Sequence, residues 1–116
     1  KENGDSAFLE LPIELQPHPE NNAASISRSF NLVHAKFLRF NANSIFDVHT
    51  APCRQFLFVL EGMIEIEVTD GEKRTFNPGA FLLVEDVTGK GHITRTFNKS
   101  VLVAVTPLTE MPFNGR

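Results

Sequence analysis

From residue 25 onward, apolar and polar positions alternate with the two-residue period of β-strands. No segment shows a helical period framed by caps. The clearest strand is at 63–68, where Ile64, Ile66 and Val68 share one parity and Glu65 and Glu67 the other, predicting one face in a core and one in water. Asp70-Gly71 marks a hairpin into KRTF, Asn77-Pro78-Gly79 the next turn, and FLLV the next strand. HITRTF follows a Gly-punctuated loop, and Asn98-Lys99 turns the chain into VLVAV at 101–105. The compact apolar run 56–60 predicts a strand buried on both sides. Segment 26–40 predicts two strands or one bent one, with Phe30, Leu32, Leu38 and Phe40 opposite in parity to Val33, Ala35 and Phe37.

This rhythm amounts to roughly eight to ten short strands with turn signals about every 8–12 residues, which means a sandwich or a closed barrel; periodicity does not choose between them. Residues 1–24 differ. They are rich in Pro, Asn and Glu, and only FLELPIEL at 8–15 is suited to pair as a strand. They are expected to form an arm lying on the barrel or on a partner, with a mobile turn at 16–24. The expected organisation is therefore an arm at 1–24, a β-domain at 25–106, sandwich or barrel, and an irregular tail at 107–116.

Composition narrows the function. A chain of 116 residues suits one domain with one core. The eleven Phe, without Tyr or Trp, carry no polar handle and suit an interior or a dry subunit contact. A net charge of -3 lacks the basic stripe that a phosphate backbone requires, so no nucleic-acid partner is expected. No run approaches the roughly 18 apolar residues of a membrane span. The opening KENGDS has no secretory layout, and the one cysteine, Cys53, permits no internal disulfide, so a cytoplasmic location is expected. No nucleophile elbow or phosphate loop is present, and Cys53 reads as a small packed residue.

The choice of architecture comes from a resemblance. HTAPCRQFLFVLEG, from His49 to Gly62, and NPGAFLLVEDVTGKGH, ending at His92, resemble the two motifs of the cupin superfamily across Phe46 to Phe97. The ED…TGKGH wording is similar to that of small single-domain cupins of type 2. The resemblance implies an all-β jelly-roll barrel with little or no helix, whose mouth holds a metal or small ligand. In the first motif His49 matches the first His and Gly62 the turning Gly, while Ala51 stands at the second His and Gln55 at the Glu. His92 matches the third His. The implied pocket is His49, Gln55 and His92, which are also the implied ligands of one divalent transition metal (Fe, Mn, Ni, Zn or Cu) if one is held. An amide oxygen is a poorer ligand than a carboxylate, so a pocket without metal is equally expected.

His34 and Glu85 are further pocket candidates, the first also readable as a packed histidine and the second as a turn carboxylate. Lys90, between Gly89 and Gly91, reads as a solvated loop residue or as a charge for an anionic ligand. Arg95 has the parity of Ile93 and Phe97, opposite to His92, and is expected to point away from the lumen. Three functions stay open: a small-molecule-binding cupin; a metal-dependent oxidoreductase, dioxygenase or isomerase; and a structural or accessory subunit. Apolar strips on the outer parity, together with the resemblance, imply a homodimer.

Overall fold

The computed structural model describes residues 4–49, 53–85 and 89–109, with the backbone only at 47–49. Ten strands lie along them: β1 (Gln16–Pro17), β2 (Ser25–Ile26), β3 (Lys36–Phe40), β4 (Ile45–His49), β5 (Gln55–Glu61), β6 (Ile64–Val68), β7 (Lys73–Phe76), β8 (Phe81–Val84), β9 (His92–Thr96) and β10 (Val101–Pro107). Among the described residues there is no helix, and hence none long and apolar enough to cross a membrane.

β1 and β2 form a small hairpin, and the other strands make two four-stranded antiparallel sheets, ordered β3-β10-β5-β8 and β4-β9-β6-β7. Within them β3 pairs β10, β4 pairs β9, β5 pairs β8 and β6 pairs β7. That nesting is one long hairpin, centred on the β6–β7 turn and wrapped into two layers. The expected jelly-roll barrel is what forms.

Parity decides which side chains meet between the layers. Ile64 of one sheet is wholly buried, and it clusters with Val59, Val101 and Val103 of the other. On β9 the buried side chains are His92, Thr94 and Thr96, paired across the sheet with Val68, Ile66 and Ile64. Thr96 keeps its hydroxyl satisfied by donating to the Asn41 carbonyl at 2.6 Å and accepting from Ser44 N–H at 2.9 Å. Arg95 points outward, as its parity requires. Its guanidinium bonds Glu67 at 2.7 Å and Glu65 at 3.0 Å, and these bonds raise its pKa above the ordinary arginine value, so it stays charged.

Two expectations change. Of the described phenylalanines only Phe40 is buried, because Phe56 and Phe58 alternate with the inward Leu57 and Val59. The rings gather on the outer face instead, with Phe30–Phe56 centroids at 5.3 Å and Phe58–Phe81 at 5.7 Å. The run 56–60 is therefore buried fully on one side only. A row of register partners, Phe37, Ala104, Phe58 and Phe81, crosses that face, with Phe37 73% and Phe81 47% exposed.

The second change concerns 8–15, which forms no strand. Pro12 has no N–H to give a ladder, and pairing begins only at Gln16, across from Ile26. The segment expected to be a mobile turn is thus a hairpin, closed by His18 N–H donating to Ala24 O at 2.9 Å. Segment 26–40 resolves into β2 and β3 with an isolated Leu32–Leu108 bridge between them in the chain, and β10 carries regular structure through Pro107.

The packing makes a paired prediction for denaturant unfolding. Ile64→Ala empties the wholly buried contact between sheets and should lower stability by about 2–5 kcal/mol. Thr106 Oγ1 is buried with no hydrogen-bond partner among the described residues, so Thr106→Val should raise stability by about 1 kcal/mol. A loss in the valine variant would show that the hydroxyl is satisfied in the native state.

Candidate functional site

The layers close at one end and part at the other. Val59, Ile64, Val101 and Val103 fill the closed end, while a cavity of about 1030 Å³ under the arm runs from Val68, Val84 and His92 at the open end past β8 to Phe30, Phe56 and Phe81 on the outer face. Each lining side chain is placed by its register. β6 puts Ile66 and Val68 inward, β8 adds Leu82 and Val84, and β9 brings His92 directly across from Val68. The deep walls are therefore aliphatic, with the imidazole of His92 set among them, 9% exposed.

The β6–β7 connection adds two residues that the sequence pattern did not expose. A two-residue Asp70-Gly71 loop would set Ile66 across from Thr75. The loop has three residues, Thr69 to Gly71, closed by Gly71 N–H to Val68 O at 3.0 Å and Val68 N–H to Glu72 O at 2.9 Å, with Gly71 at φ 102°. The added residue sets Arg74 across from Ile66 and Phe76 across from Ile64, so both lie on the inner face of an edge strand.

The arm crosses this opening between the edge strands β7 and β8. Ser6 and Thr69 bond reciprocally, Ser6 N–H to Thr69 Oγ1 at 2.8 Å and Thr69 N–H to Ser6 Oγ at 2.9 Å. The Ser6 hydroxyl also donates to Gly91 O at 2.5 Å. Lys90 bonds Asp5 through its ammonium and Gly4 through its N–H, each at 2.8 Å. Gly89 lies so close that a Cβ there would sit 2.7 Å from the Gly4 carbonyl oxygen. Further along, Phe8 lies 6.2 Å from Phe76 between ring centroids, with the Arg74 guanidinium 4.7 Å over its ring.

The residues expected from the sequence are distributed as follows. His92 and Glu85 line the cavity, and Glu85 accepts two bonds from Arg54 at 2.7 and 3.1 Å. Gln55 shares the inward parity of Leu57 at the mouth end of β5, and its Oε1 accepts from Cys53 Sγ at 3.7 Å. It is not among the described lining residues. His49 stands across from His92 in backbone register, and its side chain lies outside the described residues, as does Ala51. His34 is exposed, precedes β3 rather than lying on a strand, and is also absent from the described lining. Lys90 is taken up in holding the arm.

Among the described residues no three or more His, Cys, Asp and Glu side chains come together to hold a metal. The described donors alone do not fit a transition ion, which needs three or four ligands.

No family model matches the sequence, and no curated protein matches it significantly. Solved structures do match the fold. The DMSP lyase DddQ from Ruegeria pomeroyi aligns with a TM-score of 0.58 at 19% identity, over 80% of this chain and 45% of the lyase, so this chain spans less than half of that protein. The polyketide cyclase RemF from Streptomyces resistomycificus aligns at 0.57 and 14% identity, over 92% of this chain and 83% of that one. A cupin-2 domain protein from Shewanella frigidimarina aligns at 0.50 and 14% identity, over 69% and 79%. With the nested antiparallel pairing, these neighbours show a cupin-like fold.

Proposed function

We propose that the protein binds a small, largely apolar molecule in the mouth of the barrel. The inner part of the cavity carries this reading: aliphatic walls from Ile66, Val68, Leu82 and Val84 with His92 among them. Few convergent polar groups on an apolar wall are the usual composition of a small-molecule pocket. The walls supply affinity by removing apolar surface from water, and the imidazole supplies a hydrogen-bonding point that orients the ligand.

Thermal unfolding against a panel of small aromatic and aliphatic acids, alcohols and sugars tests it. A ligand at a hundred times its Kd stabilises the native state by about 2.7 kcal/mol, which for a domain of this size raises Tm by roughly 10 °C. Val84→Phe narrows the lumen and should lose the rise. A panel without any response, or an equal response from Val84→Phe, would overturn the proposal.

A metal-dependent enzyme is the second reading, and the His49–His92 register favours it, since it sets two imidazole-bearing residues across one ladder. Metal content of protein purified without chelator separates the two. Stoichiometric metal that is lost in His49→Ala and His92→Ala supports the enzyme; substoichiometric metal that both variants retain rejects it.

The homodimer remains a proposal, supported by the exposed row through Phe37 and Phe81. Arg39 and Glu61 bond at 3.1 Å on the same sheet, so both signs of charge are present for a two-fold contact between copies. Sedimentation equilibrium should give twice the chain mass, reduced to the monomer by a Phe37→Glu, Phe81→Glu double variant. A monomeric wild type would remove the proposal.

A further inference from the structure

The corner made by Arg74 and Phe76 holds a guanidinium and an aromatic ring on the inner face of β7, at the rim of the cavity. The arm already fills both functions. Phe8 lies against Phe76 and beneath Arg74, and the Glu10 carboxylate approaches the Arg74 guanidinium at 3.7 Å. Glu72, just before β7, accepts from Arg74 Nε at 2.6 Å, which orients the guanidinium and leaves its outer nitrogens to the arm.

The Glu10 contact is loose. The Glu10 side chain is 87% exposed, and its 3.7 Å approach is an ion pair without hydrogen-bond geometry. Between Ala7 and Leu15 no backbone hydrogen bond ties the arm to the barrel among the described residues; the firm ties are at Gly4 and Ser6. The arm can therefore lift beyond Ser6 while staying tethered before it.

We propose that Arg74 and Phe76 form the recognition subsite of the mouth pocket for a ligand that combines an aromatic ring with one carboxylate, and that Phe8 and Glu10 occupy this subsite in its absence. The inference rests on the pocket reading above and names its ligand class. A ligand ring replaces Phe8 against Phe76, and a ligand carboxylate replaces Glu10 at the guanidinium. One negative charge replaces another, so the charge balance at the corner is kept. The ligand carboxylate can in addition approach to the bidentate distance that Glu10 does not reach, which favours exchange. The neighbouring acids Asp5 and Glu85 are held by Lys90 and Arg54 and do not compete for Arg74.

Calorimetric titration of the full chain with 3-phenylpropionate, and with the uncharged 3-phenylpropan-1-ol as control, tests the proposal. Wild-type protein should bind the acid at least about tenfold more tightly than the alcohol, as a charge-assisted pair implies. Arg74→Gln should erase that preference and Arg74→Lys should keep part of it. A Phe8→Ala, Glu10→Gln double variant, which removes the internal competitor, should bind the acid more tightly than wild type. Thermal unfolding of each variant without probe establishes that it is folded. Equal binding of acid and alcohol, or a preference that survives Arg74→Gln, overturns the subsite while leaving the pocket in place. Binding of neither probe by any folded variant, together with a silent ligand panel, overturns both.

Discussion

The contact between Ile64 on one sheet and Val59, Val101 and Val103 on the other is what the rest of the molecule depends on. It brings the layers together at one end with β-branched side chains that fit a pleated surface. The same strands that form the core also bound the cavity. Along β9 the progression is continuous: Thr96 lies at the closed end opposite Ile64, and His92 at the open end opposite Val68. Core and pocket are two ends of one set of strands, so a change in the packing at Ile64 also changes the spacing of the mouth.

The chain covers that cavity with a segment that contributes little to the core. The arm is fastened by polar groups at Asp5 and Ser6 and rests through Phe8 on the edge strand β7. The cover thus has hydrogen bonds at one end and, at the other, a ring contact with an exposed ion pair beside it. The arm also shields part of β7, an edge that would otherwise be free to pair with another chain.

Much of this was legible in the sequence where one residue type answered one question. The alternation at 64–68 assigned the buried face of β6, and the parity of Arg95 against His92 sent it outward, because each inference needs only a period of two. Composition left the phenylalanines open between interior and subunit contact: ring size favours burial, but alternation with Leu57 and Val59 gives the inner face to the aliphatic residues and the outer one to Phe56 and Phe58. Nothing local ties His49 to His92; their pairing came from resemblance, and the structure adds the backbone register. Arg74 was missed because its inward parity depends on one residue in a turn. The ties of Ser6 were out of reach of any local pattern, spanning 63 residues to Thr69 and 85 to Gly91.

Those spans bear on the order of events in folding. The reciprocal pair between Ser6 and Thr69 cannot form until the β6–β7 turn exists, and the bond to Gly91 also needs the loop before β9. Contacts of such sequence separation are slow to close, because the entropy of a long loop is lost before the bond is gained. Gly4 to Ser6 are thus set to dock among the last. In the native state the same bonds belong to a unit that opens more readily than the barrel. Amide protons at Ser6 and Lys90 should accordingly exchange with solvent through openings of the rim, while those of β6 and β10 wait for the whole molecule to unfold.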